Sequence, residues 1–368
     1  MKAILCGGGT AGHVTPALAI AEILKENFEN TELLFIGREG GEENELVKRH
    51  GIPIKTVKIS GLKRSMSPKN LGAIIRALDA LYEARGIIKE FEPELVIGTG
   101  GYVCWPVLRA AKSKKIKTVI HESNAVPGLC TRMLAPGCDK VLLNFTGCET
   151  HFKKKSNLKV VGNPMRNSLL TETREGARKK LGIGQRDFLI LSFGGSGGAE
   201  IINENIISLM KNYSSRVGKV KHIHACGKKY YDTIKAKYPD LCKGKNGCAI
   251  YPYIDDMPTY MRGADIIISR CGAMTLSEIA TAGVVPILIP SPNVTDNHQY
   301  KNGRLFTDRG AAIMIEEEEL CERSLIDAVR YLEANPDEWA RMKEKLKEFT
   351  KENSRTLICS EIRKILSK

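Results

Sequence analysis

The chain has 368 residues, a length that exceeds one ordinary domain and fits two domains of middling size. Hydrophobic residues make up 42% of it and charged residues 27%, a composition that excludes a disordered or fibrous chain. Lysine and arginine number 56 against 42 aspartates and glutamates. The resulting net charge of +14 predicts an anionic partner: a nucleic acid, a nucleotide, a phosphate or lipid headgroups.

The eleven cysteines are scattered along the chain without CxxC pairs or other metal-ligand spacing. We therefore interpret them as reduced thiols of a cytosolic protein and expect no metal site. The first residues form too short an apolar stretch for a signal peptide, and no run of 18 apolar residues occurs in the chain. We expect no membrane-spanning segment.

Along the chain, a short apolar run, a glycine-rich turn and a segment of helical period recur, which is typical of parallel α/β units. One such unit lies at residues 2–24 and a second at residues 188–210, so we predict two doubly wound domains. The predicted organisation is an N-terminal Rossmann-like domain at 1–163, a C-terminal Rossmann-like domain at 164–340, and C-terminal helices at 341–368 that pack back on the first domain. Further strands are predicted at residues 32–37, 95–98, 117–121, 140–144, 159–162, 221–226, 265–269 and 285–290.

The first glycine-rich loop, residues 7–12, lies where a strand ends and a helix begins, so backbone amides and the positive helix end can bind an anion there. His13 follows at the helix start, where the helix dipole favours the neutral imidazole that a general base needs. A histidine that only satisfies hydrogen bonds is the alternative. The loop also matches the GxGxxG pattern of dinucleotide-binding proteins, and Arg38 and Glu39 after the next strand suit NADP. An NADP-dependent oxidoreductase is therefore a second interpretation.

The second domain begins with a similar turn, in which Ser196 is placed to donate to a phosphate oxygen. Further along, a strand, loop and helix start at residues 268–278 place Glu278 in a predicted first helical turn at the carboxyl edge of the sheet, where ligands bind. Its carboxylate suits a ribose diol. Thr275 and Glu278 also have the spacing of a capping box, and both interpretations stay open.

Two polar loops, residues 253–257 and 292–299, follow strands on the same side of the second domain. Asp255 and Asp256 do not form a DxD pair, and no other carboxylate cluster suggests a metal-held diphosphate. We therefore expect helix ends and hydroxyl groups to stabilise a leaving-group charge.

Positive charge is concentrated in the first domain, because residues 46–78 and 95–121 contain no aspartate or glutamate. The predicted helix in the first of these windows has an apolar stripe beside basic residues, which suits an anionic lipid surface, with core packing as the alternative. Aromatic residues make up only 6% of the chain and no nucleic-acid motif occurs, so we expect no nucleic-acid partner. The predicted membrane contacts are Lys69, Leu71, Ile74, Ile75, Arg76 and Leu78.

Together these motifs resemble the MurG family, glycosyltransferases that add N-acetylglucosamine to lipid I on the cytoplasmic membrane face during peptidoglycan synthesis. The resemblance spans most of the chain and implies the GT-B fold, in which two Rossmann-like domains face each other across a cleft. The sequence departs from the usual motifs at Ala11 and Gly197, where the family has glycine and glutamine. The ordered matches are GGGTAGHVTPALAIAEIL (7–24), GTGGYVCWPVLRAAK (98–112), HESNAVPGLCTRML (121–134), VGNPMR (161–166), FGGSGGAEIIN (193–203), YIDDM (253–257), SRCGAMTLSEIATAG (269–283) and NHQYKN (297–302).

The resemblance implies that the second domain binds most of the donor, UDP-N-acetylglucosamine, and that no cofactor takes part. Ser196 would bind the diphosphate, Ile254 the uracil, Glu278 the ribose and Gln299 the sugar. The implied donor contacts in full are Thr10, Ala11, Gly12, Asn124, Arg166, Ser196, Ile254, Ala273, Met274, Thr275, Leu276, Ser277, Glu278 and Gln299.

On the acceptor side the resemblance places His13, Tyr102 and Glu122, with His13 as the candidate base for the C4 hydroxyl of lipid I and Glu122 as a second catalytic candidate. The implied reaction is an inverting, metal-independent single displacement that gives lipid II and UDP. The implied location is the cytoplasmic membrane face, as a peripheral protein, with the anionic inner leaflet and other cell-wall synthesis proteins as partners. A related UDP-sugar transferase that acts on another glycolipid is the alternative.

Overall fold

The computed structural model describes residues 1–9, 11–41, 43–60, 69–351 and 353–367, with backbone only for 11, 43, 69–74 and 216. The chain forms two compact units, one of residues 1–165 and 351–368 and the other of residues 166–350. The sequence predicts the first boundary at residue 163 and a C-terminal segment from residue 341. In the structure, residues 341–350 group with the second unit.

In the described part of the first unit, parallel strands form one sheet with helices on both faces. The strands are β1 (Lys2–Cys6), β2 (Glu32–Arg38), β3 (Ile54–Val57), β4 (Leu95–Gly98), β5 (Lys117–Glu122), β6 (Lys140–Leu143) and β7 (Leu158–Val160). The helices are α1 (Ala11–Asn27), α2 (Glu43–Arg49), α3 (Lys69–Phe91), α4 (Cys104–Ser113), α5 (Leu129–Leu134), the 3₁₀ helices Ala135–Gly137 and Cys148–His151, and the C-terminal helix Ser354–Leu366.

The strand order of this sheet is β3-β2-β1-β4-β5-β6-β7. The chain moves in one direction from β1 and in the other from β4, so the carboxyl ends of β1 and β4 flank the switch point at which doubly wound sheets bind ligands. Helices α3, α4 and α5 cover one face, and α1, α2 and the C-terminal helix cover the other. Strands β1 and β4 are almost entirely apolar and buried because both faces of the sheet are covered.

The second unit, over its described residues, repeats this architecture. Its strands are β8 (Phe188–Phe193), β9 (Val220–Ala225), β10 (Cys248–Tyr251), β11 (Ile266–Ser269), β12 (Val285–Leu288) and β13 (Ile313–Met314). Its helices are α6 (Asn167–Thr171), α7 (Arg174–Leu181), α8 (Glu200–Asn212), α9 (Lys228–Lys237), α10 (Pro239–Cys242), α11 (Met257–Gly263), α12 (Ala273–Ala282), α13 (His298–Thr307), α14 (Glu322–Ala334) and α15 (Pro336–Leu346), with 3₁₀ helices at Ser214–Arg216, Lys245–Gly247, Thr295–Asn297 and Lys347–Phe349. The strand order is β10-β9-β8-β11-β12-β13, which puts the switch point between β8 and β11.

The predicted class, two doubly wound parallel sheets, is confirmed. Each strand predicted from the sequence is present with its ends shifted by at most two residues. Strands β3, β10 and β13 were not predicted from the sequence; they are edge strands and carry short or partly exposed apolar runs. Within the described residues, none of the helices combines the length and apolar character that crossing a bilayer requires.

Candidate active site

The loops that follow β1 and β4 pack against each other at the switch point of the first unit. Glycine is required where they touch: a Cβ at Gly101, whose φ is +82°, would lie 2.0 Å from the Gly8 carbonyl oxygen. A Cβ at Gly100 would lie 2.5 Å from His13 Nδ1. The Thr99 hydroxyl donates to the His13 carbonyl oxygen at 2.6 Å. These contacts hold the first turn of α1 against the end of β4.

His13 lies in the first turn of α1, as the sequence predicts, and is half-buried. Its Nδ1 is 3.2 Å from the Thr99 carbonyl oxygen. Because a carbonyl can only accept, Nδ1 carries the proton in this contact, and the basic lone pair of the neutral ring lies on Nε2. The half-buried Tyr102 lies nearby, with its ring against Gly9. The site therefore contains an imidazole whose tautomer and orientation are set by the end of β4.

Glu122 ends β5 and is 4% exposed. Its Oε1 accepts from the backbone N–H and the side-chain amide of Asn124, both at 3.0 Å, and its Oε2 accepts from the Gly128 N–H at 3.1 Å. The carboxylate thus joins the two ends of the loop at residues 122–128. This geometry favours a structural role for Glu122, which holds the loop in place. The Asn124 side-chain amide donates to the same carboxylate.

Two predicted donor contacts of the first unit cannot be placed in full. Thr10 lies outside the described residues, and so does the side chain of Ala11. Gly12 is in the first turn of α1 and is exposed.

In the second unit, the glycine-rich loop after β8 and the start of α12 flank the switch point. A Cβ at Gly198, whose φ is +74°, would lie 2.1 Å from the Cys226 carbonyl oxygen, so the loop lies directly on the end of β9. Ser196, at the tip of the loop, is exposed. Helix α12 begins at Ala273, which places the N–H groups of its first turn at the carboxyl edge of the sheet. Hydroxyl and amide donors so placed suit a phosphate.

Glu278 lies in the second turn of α12, not in the predicted first turn, because the helix begins at Ala273. The capping-box interpretation is wrong as well, since Gly272 precedes the helix and Thr275 lies inside it. Glu278 instead accepts a hydrogen bond from Arg166 Nη2 at 3.1 Å. Glu278 is 9% exposed; burial raises its pKa, and the Arg166 charge opposes that rise.

Other elements support the same edge of the sheet. Ile254 follows β10 and is buried. Gln299 is in the first turn of α13, and its Oε1 accepts from the Ser291 N–H at 2.9 Å. One turn later, Asn302 donates to the Cys271 carbonyl oxygen at 3.3 Å, so α13 holds the loop that precedes α12. The remaining predicted contacts lie in the first turns of α12 and are buried or half-buried: Ala273, Met274, Thr275, Leu276 and Ser277.

The exposed apolar side chains of α3 form a separate surface of the first unit. Ile75, Leu78 and Tyr82 are 53%, 56% and 80% exposed, and Arg76 lies among them on the surface. Leu81 packs against the core, as the alternative prediction of core packing has it, whereas Ile75 and Leu78 do not. Three predicted contacts have side chains outside the described part of the chain: Lys69, Leu71 and Ile74.

Two features of the site were not predicted from the sequence: Thr99, which orients His13, and a group of buried polar side chains beneath the loop after β8. That group includes His222 and His224, both fully buried on β9. Two histidines two residues apart in a predicted strand face the same side of a sheet, and this spacing is the signal that could have found them.

Known sequences resemble the chain along its full length. Residues 3–143 match the glycosyltransferase family 28 N-terminal domain, and residues 189–357 match the glycosyltransferase family 28 C-terminal domain. A protein of Acetivibrio thermocellus is 43% identical over 366 residues, with 100% of this chain and 98% of the relative covered. A protein of Caldanaerobacter subterraneus subsp. tengcongensis is 41% identical over 353 residues, with 95% and 96% covered. Both are named UDP-N-acetylglucosamine--N-acetylmuramyl-(pentapeptide) pyrophosphoryl-undecaprenol N-acetylglucosamine transferase.

Solved structures agree with these relatives. The crystal structure of MurG from Acinetobacter baumannii is similar with a TM-score of 0.76 and 28% identity, over 99% of both chains. The glycotransferase of kitacinnamycin is similar with a TM-score of 0.70 over 99% of both chains, and at 12% identity it shows the likeness of fold alone. The relatives described here are transferases, and the NADP-dependent oxidoreductase has no counterpart among them.

Proposed function

The chain belongs to the MurG family of glycosyltransferases, and from this premise we propose how its residues carry out the reaction. It transfers N-acetylglucosamine from UDP-N-acetylglucosamine to lipid I, which is undecaprenyl-diphospho-N-acetylmuramoyl-pentapeptide, and forms lipid II and UDP. The observation that carries this conclusion is the match of the whole chain, at 43% identity, to a transferase of that name.

The second unit is proposed to bind the donor at its switch point. The Ser196 hydroxyl, the N–H groups of the glycine-rich loop and those of the first turn of α12 would bind the diphosphate. As the bond to the sugar breaks, the same donors would stabilise the negative charge that develops on UDP. Ile254 would lie at the uracil and Gln299 at the sugar. The support for this arrangement is the position of the loop and of α12 on the two sides of the switch point.

Glu278 is proposed to accept hydrogen bonds from the ribose hydroxyls. A carboxylate does this best when it is ionised, but burial raises the pKa of Glu278. The Arg166 guanidinium, 3.1 Å away, favours the charged form. Arg166 would therefore keep Glu278 in the state that binds the ribose.

His13 is proposed as the general base. Its Nε2 would take the proton of the acceptor C4 hydroxyl while the hydroxyl oxygen attacks the anomeric carbon and UDP leaves. A single displacement of this kind converts the α-linked donor into a β-linked product without a covalent enzyme intermediate. Thr99 would keep the lone pair on Nε2, because its carbonyl oxygen lies beside Nδ1. Glu122 would shape the acceptor-side loop, since three N–H donors already bind its carboxylate.

The first unit is proposed to contact the anionic inner leaflet on the cytoplasmic side of the membrane. Helices α3, α4 and α5 cover the same face of the sheet, and α3 and α5 carry exposed apolar side chains. Ile75 and Leu78 are exposed on α3, while Leu129 and Met133, 50% and 57% exposed, flank the exposed Arg132 on α5. Apolar groups beside basic ones suit the interfacial region of an anionic bilayer.

Sedimentation with vesicles of anionic phospholipid tests the membrane contact. Ile75→Glu places a carboxylate on the proposed surface, and we expect the bound fraction to fall at least fivefold. Tyr331→Glu is the matched control, because Tyr331 is 47% exposed on α14 of the second unit. Binding of Ile75→Glu equal to that of the wild type would remove α3 from the membrane contact.

Thermal unfolding tests the donor. UDP and UDP-N-acetylglucosamine at about 100 times their dissociation constants should each raise the free energy of unfolding by about 2.7 kcal/mol, whereas NADPH should have no effect. Stabilisation by NADPH and not by UDP would contradict the proposed donor site.

A further inference from the structure

A row of polar side chains is buried in the second unit beneath the glycine-rich loop. Ser192 Oγ on β8 lies 2.9 Å from both His222 Nε2 and His224 Nδ1 on β9. The other nitrogen of each ring also has a polar neighbour: His222 Nδ1 is 3.0 Å from Ser214 Oγ, and His224 Nε2 is 3.0 Å from Asn203 Oδ1 on α8. All five side chains are buried.

The row ends at the backbone on which the loop rests. Asn203 Nδ2 donates to the Cys226 carbonyl oxygen at 3.0 Å. The same carbonyl oxygen lies against Gly198, where a Cβ would be 2.1 Å away. At the next residue, a Cβ on Gly227 would lie 2.6 Å from the Gly197 carbonyl oxygen. The position of the Cys226 carbonyl therefore sets the height of the loop above β9.

The Cys226 carbonyl fixes the orientation of the Asn203 side-chain amide. The Cys226 carbonyl can only accept, so the Asn203 nitrogen faces it and the Asn203 oxygen faces His224 Nε2. Burial lowers the pKa of His224 to about 4, so the ring is neutral at pH 7. Its Nδ1 lies 2.9 Å from the Ser192 hydroxyl oxygen and 3.0 Å from the Ser192 carbonyl oxygen, so both Ser192 oxygens hold this edge of the ring.

The row continues on the other side of Ser192. Its Oγ lies 2.9 Å from His222 Nε2 as well as from His224 Nδ1. Burial also lowers the pKa of His222 well below its ordinary value, so this ring is neutral too, and its Nδ1 lies 3.0 Å from Ser214 Oγ. The contacts form a continuous row from Ser214 through His222, Ser192, His224 and Asn203 to the Cys226 carbonyl. We call these five side chains the buried relay.

We infer that the buried relay is a positioning device for the donor diphosphate. It holds the Cys226 carbonyl, and thereby the loop that presents Ser196 and its backbone amides, at one fixed height before the donor arrives. This inference rests on the proposed function, which makes the loop a diphosphate site. Directional hydrogen bonds specify that height more closely than apolar packing does, and a preorganised anion site needs no rearrangement when charge develops. Ser192, His224 and Asn203 are positioning residues, because each acts on the donor through the loop.

Calorimetric titration with UDP at pH 7.5 tests the inference. Asn203→Ala cuts the last link and His224→Leu cuts the link before it, and we expect each to weaken UDP binding at least tenfold. His224→Gln keeps a side chain with both a donor and an acceptor between Ser192 and Asn203, so it should restore affinity to within threefold of the wild type. In transfer assays the donor KM should rise with the same variants while the acceptor KM stays unchanged.

Tyr213→Phe is the matched control. It removes a half-buried hydrogen bond from Tyr213 to Glu333, outside the buried relay, and should lower the melting temperature while leaving UDP affinity within twofold. Wild-type affinity in Asn203→Ala and His224→Leu would overturn the inference and leave the proposed function standing. An equal loss of affinity in Tyr213→Phe would also overturn it, because affinity would then follow stability. Absence of UDP binding by the wild type would overturn the proposed function and the inference with it.

Discussion

Replacement of Glu278 by alanine removes the carboxylate that is proposed to bind the ribose of UDP. Hydrogen bonds to a charged group contribute about 1.5–3 kcal/mol each after exchange with water. Two ribose hydroxyls bonded at the lower value contribute about 3 kcal/mol, which corresponds to a loss of UDP affinity on the order of 100-fold.

The same substitution should change stability little. Glu278 is 9% exposed, and burial raises its pKa. Burial of the charged carboxylate therefore costs free energy, and the ion pair with Arg166 offsets that cost without adding net stability. The Arg166 side chain is 34% exposed and can turn to water once the carboxylate is gone. We expect the free energy of unfolding to change by less than about 1 kcal/mol, the range of partly exposed ion pairs.

Calorimetric titration with UDP measures the affinity, and urea unfolding measures the stability. Glu172→Ala is the matched control, because it removes the partner of Lys180, 2.5 Å away in the same unit, and should leave UDP affinity within twofold. If Glu278→Ala keeps its UDP affinity and loses stability, the carboxylate has a structural role and the ribose assignment is refuted.

Three further predictions concern the base, its glycine neighbour and the buried histidines. His13→Gln should lower kcat by about 10²–10⁴-fold, the usual contribution of a general base, with UDP affinity unchanged; a kcat within fivefold of the wild type would remove the base assignment. Gly100→Ala places a Cβ 2.5 Å from His13 Nδ1 and should lower kcat at least tenfold, whereas Gly137→Ala, with nothing within 4 Å of its Cβ, should leave kcat unchanged. Burial lowers the pKa of His224 to about 4, so between pH 6.5 and 4 the unfolded state binds a proton that the folded state does not. The free energy of unfolding should therefore decrease through this window by on the order of 3 kcal/mol because of His224 alone, as measured by urea midpoints. If the free energy of unfolding of His224→Gln depends on pH as steeply as that of the wild type, this assignment is contradicted.

Local patterns were sufficient to predict both switch points. An apolar run, a glycine turn and a helical segment together span about 20 residues of chain. This local pattern is enough to predict the loops that carry His13 and Ser196. The start of α12 was not predictable from spacing, because Thr275 and Glu278 have the pattern of a cap although the helix begins earlier, at Ala273.

Contacts between residues that are far apart in the chain could not be predicted from the sequence. Arg166 and Glu278 are 112 positions apart, and no local pattern pairs them. The buried relay depends on the register that puts Ser192 opposite His224, which only the pairing of β8 with β9 defines. The exposure of Ile75 and Leu78, against the burial of Leu81, depends on how α3 packs on the sheet.

Transfer of labelled sugar from UDP-N-acetylglucosamine to a short-chain lipid I analogue tests the central claim most directly. The assay includes a chelator and offers UDP-glucose as a competing donor. We predict a β-linked disaccharide product that forms in the presence of the chelator and contains N-acetylglucosamine. Failure of transfer by a protein that UDP stabilises would contradict lipid I as the acceptor and indicate another glycolipid.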